Sequence, residues 1–471
     1  MLLTGGYVLT MDRDIGDIPV GDVLIADGTV IAVGRDLGVS DAHVIDVSGS
    51  IVLPGFVDTH RHTWETAIRG SGPDATLDDY NTDVIGTFAP IYRPEDVYAS
   101  NLGGAIECLN AGITTLVDWS HINHTPDYPD AAIQGLRDAG IRARYAYGPS
   151  PRMDYWFNSS LRMPEQDVRR VREAYFSSGQ GLLTMGLATR GPRFSVDEVV
   201  LADWKLARDL DLPITCHVGH GRYGGRFAMV ENLDRLGLLG PDITYVHACL
   251  LADEEWRLVR DSGGTVSIAP QVEMQMGHGH PPLRRCLAEG VRPSLSIDVV
   301  TSVPGDMFTQ MRAIFGTERE AVNLAALRDR QKVQEPMLTA RQVLEVATIE
   351  GAHVAGLGDW TGSLTPGKRA DVIVIDASAP NLAPLHDPVA AVVLGADVSN
   401  VSTVVVDGVL KKSYGKLVRP FDGTRRLLED SRDYLLSQSG AARSDSRLGA
   451  PGCDFGRVWW TPVAAKPSAN F

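Results

Sequence analysis

Cysteine is scarce in this chain: five among 471 residues, an odd number, scattered from Cys108 to Cys453 without a C-x-x-C pair. That usage excludes a disulfide framework and a thiolate zinc site, and it fits reduced thiols in the cytoplasm. Positive charge is also short. Lysine and arginine number 44 against 59 aspartates and glutamates, a formal net charge of −15. This argues against a nucleic-acid reader or an anionic membrane surface and favours a soluble acidic enzyme. No apolar run approaches the roughly 18 residues needed to span a bilayer. The start, Met1-Leu2-Leu3-Thr4-Gly5-Gly6-Tyr7, has no basic segment leading into an apolar one. Internal repeats are missing, and the one biased stretch is a Gly/Ser/Ala/Arg-rich linker near the end. The expectation is a cytoplasmic protein that takes a small molecule, with neither nucleic acid nor membrane as partner.

What the chain has is alternation. Eight short β-branched runs, at 52–58, 114–118, 142–147, 182–188, 213–217, 243–247, 265–269 and 293–298, are separated by amphipathic stretches such as 199–210 and 253–262. Strand–helix alternation of this length predicts an α/β fold with a parallel sheet and helical crossovers. Eight units match a (β/α)8 barrel, with a doubly wound open sheet as the rival, because periodicity does not separate closed from open. The flanks differ. Short strands punctuated by Asp27-Gly28 near the start and Asp407-Gly408 near the end carry hairpin signals. The simplest arrangement is a TIM-like barrel at 55–362 inserted in a small composite β-sandwich made from 1–54 and 363–418. A C-terminal helix and tail follow at 419–471, with a helical pattern over 425–437 and a Trp459-Trp460 pair.

The run Val52-Leu53-Pro54-Gly55-Phe56-Val57-Asp58-Thr59-His60-Arg61-His62 ends in two histidines two apart. On a strand they share one face while Arg61 points opposite. Two imidazoles at one strand end can bind one metal ion, though an H-x-H pair also occurs on surfaces. Catalytic groups of a barrel gather at the C-terminal strand ends. Those ends bring His60 and His62, then Trp119 and His121, His217 and His220, His247, Gln271 and Glu273, and Asp298. Nine of the twelve histidines (60, 62, 121, 124, 217, 220, 247, 278 and 280) lie at or just after predicted strand ends. Three histidines and a carboxylate suit Zn²⁺ or Fe²⁺, with a position left open for water.

At this point the chain resembles the amidohydrolase superfamily. Pro54-Gly55-Phe56-Val57-Asp58-Thr59-His60-Arg61-His62 is similar to that family's first-strand signature. Thr348-Ile349-Glu350-Gly351-Ala352 and Gly362-Ser363-Leu364-Thr365-Pro366-Gly367-Lys368-Arg369-Ala370-Asp371-Val372 resemble its passage back into the β-sandwich. The nearest flavour is the mononuclear branch of cytosine-type and guanine-type deaminases and triazine chlorohydrolases. The resemblance implies His60, His62, His217 and Asp298 as ligands of one divalent ion, zinc first and iron second. It implies Asp298 as general base for a metal-activated water, and His247 as the group that polarises the substrate's reacting centre. It also implies a homodimer. Residues 182–192 contain no lysine, so a carbamylated bridge between two ions is lacking, which argues for one metal.

Two departures stand out. Deaminases of this branch place a glutamate three residues after the fifth-strand histidine, whereas Cys216-His217-Val218-Gly219-His220-Gly221 has His220 there. Histidine can serve as a general acid near neutral pH; the alternative is a loop residue facing solvent. After the seventh strand the chain reads Pro270-Gln271-Val272-Glu273-Met274-Gln275-Met276-Gly277-His278-Gly279-His280. Glu273 falls where a substrate-binding asparagine is common and could hold a substrate amine, or else pair with an arginine. Trp64, Trp119 and His121, with Gln271 and Glu273, are the expected substrate-binding residues. Met274 and Met276 are expected to pack.

The leading expectation is hydrolysis of a C–N bond (amide, amidine or ring amine) in a small nitrogen-containing molecule. Alternatives are a non-hydrolytic cyclisation, dehydration or elimination at the same metal, hydrolytic dechlorination, and least of all a non-catalytic scaffold.

Overall fold

The computed structural model describes residues 1–39, 41–150, 160–178, 181–333 and 337–440. The Trp459-Trp460 pair lies outside them. Strands β1 (Leu2–Leu9), β2 (Asp17–Ala26), β3 (Thr29–Gly34), β4 (Val44–Asp46) and β5 (Ser50–Pro54) come from the start of the chain. Strands β14 (Val372–Asp376), β15 (Val401–Val406), β16 (Val409–Ser413) and β17 (Lys416–Leu417) come from the far end. Together they form one nine-stranded sheet in the order β17-β16-β15-β14-β5-β1-β2-β3, with β4 beside β1. The joint between the two chain ends is the antiparallel β5–β14 pair, with Leu53 opposite Ile373. One face of the sheet encloses its own apolar core, including Leu3, Val23, Val52, Val372 and Val405.

Between these flanks lies the second sheet, which is eight-stranded. Its strands are β6 (Phe56–Arg61), β7 (Ile113–Ser120), β8 (Arg142–Tyr147), β9 (Leu183–Thr189), β10 (Ile214–Val218), β11 (Ile243–His247), β12 (Thr265–Ile268) and β13 (Arg292–Leu295). They run in sequence order, and every neighbouring pair is parallel. That is the α/β barrel expected from the alternation, and the open-sheet rival is set aside by the contact between first and last strands. Asp298 N–H donates to His60 O and His62 N–H to Asp298 O, both at 2.9 Å. The Thr59 hydroxyl lies 2.7 Å from both Ser267 Oγ and Ser294 Oγ. Helices such as Pro94–Asn110 and Asp127–Ala139 cover the outside. Helix Ile349–Val354 supports the floor, where Ala352 and Ala355 meet Val57, Val117 and Ala188.

The run at 52–58 is two strands, not one. It breaks at Gly55, whose N–H donates to Asp371 O at 3.0 Å while Phe56 N–H turns to Gly112 O at 2.9 Å. A Cβ at Gly55 would stand 2.1 Å from Thr114 Oγ1 and 2.2 Å from Thr114 Cγ2. Only glycine lets the backbone pass from one sheet into the other here. The segment after β12 is also more ordered than a loop: Pro270–Gln275 is helical, with Pro270 at its first position, where a missing N–H costs nothing. The helical pattern at 425–437 forms helix Asp422–Gln438. Among the described residues no helix is long and apolar enough to cross a membrane.

Candidate active site

The strand ends on one face of the barrel converge. His60 sits near the end of β6 and His62 one residue past it, His217 on β10, and Asp298 three residues beyond β13. One donor atom from each of these four lies within 4.8 Å of the others. Asp298 Oδ1 is 3.1 Å from His60 Nε2 and 3.4 Å from His62 Nε2. Donors about 2.0–2.2 Å from a shared ion stand roughly 3–3.5 Å apart, so this spacing fits a divalent cation. Trp119 O accepts from His62 Nδ1 at 3.0 Å, which leaves the Nε2 lone pair turned to the centre.

Backbone strain accompanies the convergence. His247 (φ 72°) and Asp298 (φ 68°) both occupy the left-handed region, which L-residues with a side chain seldom adopt. His247 ends its strand and Asp298 follows three residues after its own, and both line the pocket. Gly219 (φ +57°) makes a turn after β10, and a Cβ there would meet Leu251 Cδ2 at 2.7 Å. That turn brings His220 inward.

Burial controls the charges. It lowers the His60 imidazole to about 4 against the pull of Asp298, and His220 to about 3 with help from the neighbouring His278. Burial likewise holds His217, His247 and His121 well below their usual value, and lowers His278. These rings are neutral near pH 7, with lone pairs available. His62 moves upward, because Asp298 outweighs the cost of burial. For Asp298 burial opposes ionisation, yet the close approach of the His60 and His62 rings prevails and holds its carboxyl well below the usual range. Burial pushes Glu273 well above that range and Glu65 up to about 7.

Above the centre opens a cavity of roughly 740 Å³, counting its open mouth, lined by His62, Trp119, His121, His217, His220, His247 and Asp298 among the expected residues. His220 therefore faces the pocket, and the solvent-facing alternative is set aside. Three expected substrate contacts do not reach the wall. Trp64 is fully buried behind His121, donating its indole N–H to His121 Nδ1 at 3.3 Å. Gln271 lies on the 270–275 helix, its backbone N–H donating to Gln310 Oε1 at 3.2 Å. Glu273, on the same helix, stands behind His247: its Oε1 is 3.1 Å from His247 Nδ1 and accepts from Ala269 N–H at 2.8 Å. Its partner is thus a histidine and not an arginine.

The pocket also contains four residues that pattern alone does not mark, Tyr80, Asn81, Phe194 and Tyr223, together with Met276 and His278. Tyr80 donates to Glu65 Oε1 at 2.6 Å. Met276 packs in the apolar core, as expected, and also lines the pocket wall. His278 belonged to the histidine-rich run after β12, which was the available signal. Conversely, His124 is tied to Ser150 Oγ at 2.8 Å and Ala89 O at 2.9 Å, and the His280 side chain is half exposed, so neither joins the site.

Comparison with known proteins matches residues 51–411 to the model of the amidohydrolase family. The chain belongs to the amidohydrolase family. It is 30% identical over 430 residues to a 5'-deoxyadenosine deaminase of Methanosarcina mazei, covering 89% of this chain and 94% of the relative. A 5-methylthioadenosine/S-adenosylhomocysteine deaminase of Nitratidesulfovibrio vulgaris is 29% identical, with 93% and 98% covered. Among solved structures, the atrazine chlorohydrolase of Arthrobacter aurescens complexed with zinc superposes with a TM-score of 0.79 at 23% identity, over 92% of this chain and 99% of that one. An adenosine deaminase of Xanthomonas campestris with bound zinc gives 0.77 at 22%, over 93% and 98%. This amidohydrolase is a hydrolase of C–N bonds other than peptide bonds, as the sequence motifs imply.

Proposed function

We propose that this amidohydrolase is a deaminase that replaces the amine of a nitrogen heterocycle, with adenosine-like molecules altered at the 5' position as the first substrate class. The observation that carries the reading is the convergence of four donor atoms, from His60, His62, His217 and Asp298, beneath a pocket walled by Trp119, Tyr80, Phe194 and Tyr223. Aromatic walls suit a flat ring. The relatives named for adenosine-type deamination support the class.

In this reading His60, His62, His217 and Asp298 Oδ1 hold a divalent ion, zinc in preference to iron because the structural neighbours carry zinc. When bound, the ion acidifies water to supply a nucleophile near neutral pH. Asp298, ionised and with Oδ2 turned to the pocket, takes the proton. His247 stands 3.7 Å from that oxygen and, once protonated, stabilises negative charge developing on the ring. His220 carries a proton to the leaving amine in place of the glutamate usual at its position. The four free cysteines among the described residues support a cytoplasmic enzyme, and a homodimer is part of the proposal on family resemblance.

The test is ammonia release from a panel of 5'-substituted adenosines and free aminopurines, with metal content measured on the same sample. Metal-replete protein that releases ammonia from none of them sinks the deaminase reading. One observation favours a second reading: Asp298 is the single carboxylate among the described pocket-lining residues. Without a glutamate acid, the same centre could carry a cyclisation, dehydration or elimination, or displace chloride. Product formed without ¹⁸O from labelled water would identify a non-hydrolytic course.

A further inference from the structure

At the opposite end of the barrel a cation stands without a counter-charge. Arg144 lies near the N-terminal end of β8, and its Nε is buried with no hydrogen-bond partner. Among the described residues no ion pair or hydrogen bond reaches its side chain. Burial alone lowers it to about 10, with no neighbouring charge contributing. Other buried arginines are answered: Arg142, two residues earlier, donates from Nε to Asp371 Oδ2 at 2.5 Å, and Arg190 lies 3.7 Å from Asp203. A buried charge left unpaired is costly, so one that persists points to a partner.

The barrel floor does not supply it. Arg144 Nη1 and Nη2 lie against Gly356, where a Cβ would stand 2.9 Å and 3.0 Å from them. Gly356 follows the floor helix Ile349–Val354, whose last carbonyls could take a guanidinium. Each has another donor. Gly351 O accepts from Ala355 N–H at 2.9 Å, and Ala352 O and His353 O accept from Leu357 N–H and Gly356 N–H at 2.8 Å. Val354 O accepts from the Thr244 hydroxyl at 3.5 Å. The one carboxylate of this helix, Glu350, is held by Arg292 at 2.7 Å.

What Arg144 does face is a cavity of about 290 Å³, counting its open mouth, well under half the 740 Å³ of the cavity above His60. Thr215 lines it too; it is 6% exposed and its hydroxyl has no partner. Among the described residues no carboxylate joins the wall, which is completed by small or apolar residues such as Val117, Ala146 and Ile214. A guanidinium only donates hydrogen bonds, and a free hydroxyl can donate beside it. Positive charge and unused donors in one small space select an anion.

We infer that Arg144 and Thr215 hold a halide-sized inorganic anion, chloride in its simplest form, at the floor of the barrel, away from the His60, His62 and His217 centre. The anion neutralises the guanidinium and binds only the folded chain, so its effect is on stability and not on the metal centre.

Full-length protein of constant metal content is unfolded in urea across a chloride series, with gluconate holding ionic strength fixed. Above the dissociation constant, each further tenfold rise in chloride should raise the apparent folding constant about tenfold. Arg144→Met should abolish that dependence and, in gluconate alone, be at least as stable as the wild type, because it removes an unpaired buried cation. Thr215→Val should weaken chloride binding about tenfold, the worth of one hydrogen bond to a charged group. Crystals soaked in bromide should show an anomalous peak in contact with Arg144. A wild-type folding constant indifferent to chloride overturns the inference, as does a chloride dependence that survives in Arg144→Met. Stabilisation by phosphate with none by chloride or bromide overturns the halide-sized assignment. If Arg144→Met does not fold, the wild-type series, Thr215→Val and the bromide position decide.

Discussion

Asp298→Asn is the sharpest perturbation of the proposed chemistry, because the structure separates what it removes from what it keeps. Asparagine tolerates the left-handed φ of 68° at this position. It also keeps the backbone bonds to His60 and His62 that close the barrel at 2.9 Å each. What goes is the negative charge, and with it both the anionic ligand and the base. Loss of a positioned general base alone is typically 10²–10⁴-fold, so kcat/KM should fall by at least about 10³, or roughly 4 kcal/mol of transition-state stabilisation. Because its partners hold the Asp298 carboxyl well below the usual range, it is ionised across the working range, and raising the pH should not rescue the variant. Asp298→Ala should be equally inactive but less stable than Asp298→Asn by about 1–2 kcal/mol, the cost of placing alanine in the left-handed region. Ammonia-release kinetics on samples with measured metal content, together with thermal unfolding of the chelated proteins, provide the assay. An asparagine variant with normal metal content and more than a tenth of wild-type kcat/KM would refute the roles given to this residue.

Other expectations follow from the same geometry. His220→Glu should shift the pH dependence of kcat or the product formed, since it exchanges a neutral imidazole for a carboxylate facing the pocket; an unchanged pH–rate profile would make His220 a bystander. Burial pushes Asp203 up to about 6, against Met163 N–H and Arg190. The folded state therefore holds more protons than the unfolded one between about pH 4 and 6, and stability is lost as pH rises through that window, by up to about 3 kcal/mol. Asp203→Asn keeps an acceptor for Met163 and should flatten that slope; urea midpoints at about pH 4 and about pH 7 that differ equally in wild type and variant would contradict this. Gly55→Ala should cost about 1–3 kcal/mol by overpacking against Thr114, read as a lower Tm that Thr114→Ala partly restores. An unaltered Tm would mean the junction can yield.

Much of this architecture is legible in the residue order. Alternating side-chain direction on a strand put His60 and His62 on one face before any fold was known, and eight β-branched runs separated by helical periods announced the barrel. These are local regularities of the backbone, so local pattern reveals them. What pattern could not show is where side chains beyond the strand ends point. By its position in the sequence Glu273 suits a substrate amine or an arginine partner, but a helix starting at Pro270 carries it behind His247. Trp64 is hidden by His121, and His278 enters the pocket while His280, two residues on, leaves it. The run across Gly55 looked continuous because apolar character runs through it unbroken, yet its halves belong to different sheets. Those outcomes depend on packing between segments some 30 to 240 residues apart, as where Asp298 meets His60 across the closing seam. Contacts at such range leave no periodic trace in the chain, and tertiary structure alone settles them.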